Sequence, residues 1–441
     1  MYKGLSLDQA PPLAVPFSFY IAGSLMGVGS GVAAGYLPDL TDRWHPLMML
    51  LAHSFLLGFV GLVMFGSIFQ MLPVVAGAAV ARPVLHSRIL LLLLLIGLAG
   101  LLAGFVNFNW RGWRSVVVVL AAALFYFLVI FFGRLLRVRS AAPAVLGMNL
   151  AGFSLLWVIA LGAAFIAMLS GFRILKVFRP FLTDVHLSWG VAGWIGFLIQ
   201  GVLCQVVPMF FVTPPFSKRL IRMQMAVLFA ALTAKSVLGL LALLDYPVLL
   251  MMLDWLVYAS LFFGAAYSLR LSFQRKRKVR DLSLWLIRFG LGGILAGTAL
   301  LSLRNSPTSV FAVQVIALFG INSIVLGMLF KIVPFLVWFH LQAQAMDALL
   351  KGRSVAVPTM KEIVSDQTIR TQMVFHAAVL LGFLWGFRSD DTSLLSLAGV
   401  LSFSFLCRTI LSAWRQYRSV SRSIAEDAER PRSSEAVTLN S

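Results

Sequence analysis

Twelve apolar stretches, each about long enough to cross a bilayer, leave this chain little freedom in what it folds into. They fall at about 13–36, 47–77, 89–106, 116–133, 145–170, 187–212, 223–244, 248–269, 282–301, 309–337, 371–387 and 393–413. A helix rising 1.5 Å per residue needs ~20 apolar residues to span a hydrocarbon core of ~30 Å. Inside that core no water pairs with a backbone N–H or C=O, so the chain must satisfy its own amides. The runs are apolar without the alternation of a barrel strand, and 60% of all residues are hydrophobic, so the amides pair within helices. The expected fold is all-α: a polytopic membrane protein of twelve transmembrane helices in three pseudo-symmetric four-helix units. The units are set at about 1–140, 141–280 and 281–415, with a disordered polar tail at 416–441. No stretch is left over for a soluble domain.

The net charge of +20 would suit a nucleic-acid partner if it lay on one face, but the basic residues sit in the loops between apolar runs. With the N-terminus inside, eighteen basic residues fall in inner loops, from Arg82 and Arg88 to Lys361 and Arg370. Eight fall outside: Arg43, Arg111, Arg114, Arg173, Lys176, Arg179, Arg304 and Arg388. The positive-inside bias therefore puts both termini in the cytoplasm, with the lipid bilayer as partner and no nucleic acid. Cys204 and Cys407 both lie in apolar runs, which argues against a disulfide or a thiolate metal cluster. The N-terminus has little positive charge and no small-residue cleavage site before its apolar run, so it reads as a retained first helix.

One phrase recurs. GSIFQMLP at 66–73, GVLCQVVP at 201–208 and GMLFKIVP at 327–334 share the pattern Gly-x-x-x-[Gln/Lys]-x-x-Pro. Pro73 and Pro208 are 135 residues apart, Pro208 and Pro334 are 126 apart, and each proline lies on the second helix of a four-helix group. Gly61 and Gly196 stand twelve residues before their prolines, where the third copy has Asn322, and Gly58 and Gly193 stand fifteen before. Helices 2, 6 and 10 are thus expected to be inner and equivalent, with the glycines admitting close packing. Gln70, Gln205 and Lys331 are placed to satisfy the carbonyl that each proline frees one turn earlier. For Lys331 the other readings are snorkelling near the inner interface or facing a polar channel.

Twelve helices in three such arcs, with His53 in LLAHSFLLGF near the outer end of the second, resemble subunit I of the heme-copper oxidase superfamily. The chain also resembles the twelve-span NnrS family, which is linked to nitric oxide metabolism. The resemblance implies a bacterial cytoplasmic membrane, haem as cofactor, and His53 as metal ligand in the place of a low-spin haem ligand. It implies a respiratory or electron-transfer protein as partner. His186, in DVHLSWGVAGW, opens the sixth helix, where the family has a copper ligand. The paired histidines of the family's seventh helix have no counterpart in SVLGLLALL at 236–244, and its His-x-His is absent from AVQVI at 312–316. A copper site and a complete binuclear centre are therefore not expected. His53 and His186 lie at matching depths, so if their helices line a common interior, as the resemblance implies, two imidazoles face one haem or one metal ion. In the alternative, His53 hydrogen-bonds a neighbouring helix and His186 sits at the interface. If haem is the partner of His53, the missing histidine of helix 10 leaves the opposite position either open to a diatomic gas or filled by a residue from another helix.

Two charges fall deep in apolar runs. Lys235 on helix 7 and Asp254 on helix 8 flank a hairpin that turns near Tyr246, which brings them within reach of each other. An intramembrane ionisable pair marks either a function or a lock between helices, and Tyr258, four residues after Asp254, would extend it into a proton path. No Walker A loop, Cys-x-x-Cys pair or recognisable hydrolase constellation occurs. Two alternatives to a haem or metal protein stand on the same features: a small-solute or proton transporter, for which repeats and broken helices argue, and an assembly accessory of a respiratory enzyme.

Overall fold

The amide constraint is met by helices throughout the computed structural model, which describes residues 10–107, 112–169, 178–241, 247–276, 279–303, 306–350 and 352–429. Arg111, Arg173, Lys176, Tyr246, Arg277, Lys278, Arg304, Lys351 and the tail beyond 429 lie outside those residues. Twelve helices are long and apolar enough to cross a membrane. The first four are α1 (Ala14–Ala34), α2 (Pro46–Ala76), α3 (Pro83–Val106) and α4 (Trp113–Leu135). The middle four are α5 (Pro143–Leu169), α6 (Arg179–Phe211), α7 (Lys218–Leu240) and α8 (Pro247–Phe273). The last four are α9 (Leu282–Leu301), α10 (Thr308–Leu350), α11 (Asp366–Ser389) and α12 (Ser393–Glu429). No strand occurs among the described residues.

Local chemistry sets the ends. Prolines open α2 and α3 at the first turn, where a missing N–H leaves no bond unmade. His45, Ser217, Asp281 and Ser365 cap α2, α7, α9 and α11 by accepting from backbone N–H groups one turn in. Gly77, with φ +65°, ends α2 in the left-handed conformation that a helix terminus uses and glycine takes without a Cβ clash.

The three proline-bearing helices meet. Phe65 of α2 packs on Trp194 of α6 at 5.4 Å, and Phe210 of α6 meets Phe335 of α10 at 5.0 Å. The Gln314 amide of α10 reaches the Met48 sulfur of α2. Pro73, Pro208 and Pro334 lie inside these helices without ending them. Each helix also carries a π-helical stretch: Ser54–Gly61, Trp189–Ile195 and Ile316–Asn322. The stretches close twelve, thirteen and twelve residues before the three prolines. A Cβ on Gly61 or Gly196 would stand 3.4 or 3.2 Å from the carbonyl oxygen five residues earlier, Leu56 or Val191. The repeated glycine thus sits where the wide turn folds its own backbone back. Gly58 and Gly193 serve helix packing, against Met26 of α1 and Ser154 of α5.

The amides do not take the expected role at the prolines. Gln70 Oε1 is buried without a hydrogen-bond partner, and Gln205 makes no hydrogen bond to a helix carbonyl. Lys331 instead reaches across to Asp281, the cap of α9, with Nζ 2.7 Å from Oδ2, and its ammonium lies over the Phe210 and Phe211 rings. A full charge gains more from a carboxylate than from a carbonyl dipole, and one was in reach. α12 likewise departs from expectation. It stays helical to Glu429, past residue 416, because Trp414, Tyr417, Val420 and Ile424 form one apolar stripe in an otherwise polar sequence. Trp414 packs on Phe17 of α1, and the Tyr417 hydroxyl accepts from Gln344 of α10. His340 of α10 lies beside this stripe, its two ring nitrogens facing the carbonyls of Leu336 and Pro11.

First and last helices close the bundle through small residues. A Cβ on Gly31 would lie 2.6 Å from the Val400 backbone nitrogen, and Gly399 meets Gly31 in turn. Gly31→Leu should therefore part α1 from α12 and destabilise the protein by at least the ~1–3 kcal/mol typical of overpacking. Thermal unfolding in detergent checks this; an unchanged midpoint would show that the seam yields freely. A second prediction concerns Asp281. Burial pushes its carboxyl up, but the Lys331 ammonium and the Ser283 hydroxyl together outweigh burial and hold it below the ordinary carboxylate range. A depressed folded pKa gives stability that is complete above the unfolded value of ~4 and lost as pH falls through the folded one. The midpoint should fall between pH 5 and 3 more steeply in wild type than in Asp281→Asn.

Candidate functional site

The three π stretches border one cavity of about 1500 Å³, reached by Phe55 and Leu56 of α2, Gly190 and Val191 of α6, and Ile316 and Ala317 of α10. It lies toward the bundle end where α2 and α6 begin and extends between α3, α4 and α5 on one side and α7 and α8 on the other. Ordinary small-molecule pockets hold roughly 300–1,000 Å³, so this one admits a large ligand. Its wall is mostly apolar, with the polar groups few and placed. π-turns inside α-helices occur often at functional sites, because the extra residue redirects side chains.

His53 and His186 face this space. Each lies seven residues into its helix, counted from Pro46 or Arg179, a depth of ~10 Å at 1.5 Å per residue. The ring centres are 6.3 Å apart and the ring planes 29° from parallel. His53 Nδ1 lies 2.7 Å from the Met49 carbonyl oxygen and must donate to it, which leaves Nε2 as the lone-pair nitrogen. His186 Nδ1 is buried with no partner. Phe105 and Phe165 brace the two rings at 5.1 and 5.7 Å. Among the described residues no group of three or more His, Cys, Asp and Glu side chains gathers around a point.

The second polar feature is the ion pair of α7 and α8. Lys235 Nζ stands 2.6 Å from Asp254 Oδ1, and the side chains are only 10% and 16% exposed. Both, with Tyr258, line the same cavity as the histidines. Ser236, next to Lys235, accepts from the Trp189 indole at 2.8 Å, which ties α7 to α6 one turn beyond His186.

The cavity mouth was not legible as a unit. There the Trp44 ring is flanked by the guanidiniums of Arg43 and Arg179, at 4.7 and 4.2 Å, and Arg43 pairs with Asp184 at 2.6 Å. The sequence places these basic residues in loops and at helix starts; only the fold gathers them with Arg114 along one rim. His376 of α11 is buried against α10, with Nε2 2.7 Å from the Ser323 hydroxyl and Nδ1 3.5 Å from the Asn322 amide. Gln70, Gln205 and Lys331 do not border the cavity.

Compared with protein families and with curated proteins, the chain matches none.

Removing one member of the Lys235–Asp254 pair strands the other in low dielectric. Lys235→Ala or Asp254→Ala should each destabilise the protein by about 3–5 kcal/mol, and the double variant by less than the larger single loss. Unfolding midpoints of the four proteins check this; additive losses would show that the two charges do not support each other.

Proposed function

We propose that the chain holds a haem between His53 and His186 and acts in redox or nitric oxide-related respiratory metabolism in a bacterial membrane, without a complete binuclear centre. The spacing of the two imidazoles carries the reading. A metal–imidazole bond is ~2.0–2.1 Å and a ring nitrogen lies about 1.1 Å from its ring centre, so two imidazoles in line across one ion have centres a little over 6 Å apart. The observed 6.3 Å fits. A bare ion would want two to four further protein ligands, whereas a tetrapyrrole would bring its own nitrogens and could be held by His53 and His186 alone. Bound there, haem supplies a reversible one-electron couple.

The chain's own residues do the rest. Met49 O holds His53 in the tautomer whose free nitrogen points away from the helix backbone. The unpartnered His186 Nδ1 is a buried polar atom that a ligand would satisfy. The apolar wall suits a large flat ring, and Arg43, Arg114 and Arg179 line the rim. His53 and His186 would hold the group together, and two protein imidazoles on one iron would favour electron transfer over capture of a gas.

The absorption spectrum of protein purified from a haem-replete host tests this. A Soret band that shifts on reduction is expected, with little response to carbon monoxide. His53→Ala should lose most of the haem, and His186→Ala should either lose it or open it to carbon monoxide. A colourless, stably folded protein would refute the proposal.

A further inference from the structure

α12 outlasts its span. A hydrocarbon core of ~30 Å takes ~20 helical residues, so a span that begins at Ser393 closes near residue 412 and leaves roughly 17 residues of helix to Glu429. That extension is docked on one side only. Trp414, Tyr417, Val420 and Ile424 form the stripe that packs toward α1 and α10. At about 100° per residue, Arg415, Arg418 and Arg422 lie about 140° round the helix from the stripe, and all three are exposed.

Two turns back along the same face stands Arg408, also exposed, and before it Leu394, Leu397 and Leu401. One surface of α12 is thus apolar beside the hydrocarbon and basic where the helix emerges. Among the described residues none of these four arginines forms an ion pair. Glu426, one turn after Arg422, is the first carboxylate that α12 carries.

We propose that this face is a binding site for an anionic phospholipid, with acyl chains along Leu394, Leu397 and Leu401 and the phosphate among Arg415, Arg418 and Arg422. The order of the chemistry selects the occupant: a soluble anion has no use for the leucines, and a soluble protein cannot reach them through the headgroup layer. Side-chain direction agrees. Every Cα–Cβ bond of a helix tilts toward its N-terminus, so arginines that follow the span lean back toward the bilayer surface. Arg408 adds a reason for the lipid to be anionic, because an exposed charge inside the span is costly unless a phosphate draws it out. Juxtamembrane arginine clusters recruit anionic headgroups by the same attraction, about fivefold for each basic residue near the surface.

Native mass spectrometry of the full-length protein tests this, after equilibration in neutral detergent with equal amounts of phosphatidylglycerol and phosphatidylcholine. Wild type should retain phosphatidylglycerol in preference, and Arg415→Gln/Arg418→Gln/Arg422→Gln should lower that retention at least ~10-fold. Removing the same charge after α4, with Arg134→Gln/Arg137→Gln/Arg139→Gln, should leave it intact. Glycerol phosphate, the headgroup without chains, should not displace the lipid. The proposal is overturned if wild type shows no preference, if the α12 variant keeps it, if the α4 variant loses as much, or if glycerol phosphate competes. Should the α12 variant fail to fold, wild type in nanodiscs is labelled with phenylglyoxal. Arg415, Arg418 and Arg422 should be protected in phosphatidylglycerol and not in phosphatidylcholine, and equal labelling in both overturns the site.

Discussion

In hydrocarbon a backbone amide has no solvent to fall back on, and the architecture follows from that. Each span closes its own hydrogen-bond ladder, so helices pack by shape and small residues, with no partner needed for the main chain. The ladder is altered only where it is shielded. All three π stretches and all three interior prolines lie on α2, α6 and α10, the helices that meet one another, and each π stretch borders the cavity. On the lipid face a widened or broken turn would leave carbonyls unpaired in oil.

The same exclusion of water governs the charges. Lys235 and Lys331, whose side chains are 10% and 15% exposed, each end within 2.7 Å of an aspartate on the helix that packs beside them. Asp281 has a double duty, since its Oδ1 caps α9 through Ser283 and its Oδ2 receives Lys331. The Arg43–Asp184 pair at the cavity mouth is more exposed and correspondingly weaker as a tie. Its interest is positional, because it joins the segment before α2 to the first turns of α6, the two helices that bear the facing histidines.

Hydropathy made the twelve helices legible, because burial in lipid writes itself into every residue of a span. Depth was legible as well: counting from helix ends put His53 level with His186, and Lys235 within reach of Asp254. What a count along the chain does not give is rotation. The approach of the two imidazoles depends on which way each helix face turns, and that is set by π turns whose only trace in the sequence is a glycine twelve residues before a proline. The glutamines were misread for a related reason. Gln70 and Gln205 lie one turn before their prolines, but position along a helix does not say where a flexible amide points. The partner of Lys331 was not legible because Asp281 lies fifty residues away in sequence, on a helix start that looks like an ordinary cap. The helical extension to Glu429 was hidden by composition, since four apolar residues in a charged segment are enough to dock a helix that already has a neighbour.

The π stretches make each of the three central helices a spliced object. A wide turn accommodates a surplus residue, and one residue corresponds to roughly 100° of helical phase, so the two halves of α2, α6 and α10 are keyed to different neighbours. In α2 the half before the splice aims His53 into the cavity, and the half after it seats Phe65 and Pro73 in the core. Loss of a single residue between them would leave hydropathy, length and topology almost untouched while turning one half against the other. For such a chain the length of a segment carries as much information as its residues: a homologue shortened by one between His53 and Pro73 would look like a close relative by every hydropathy measure and would present a different face to the cavity.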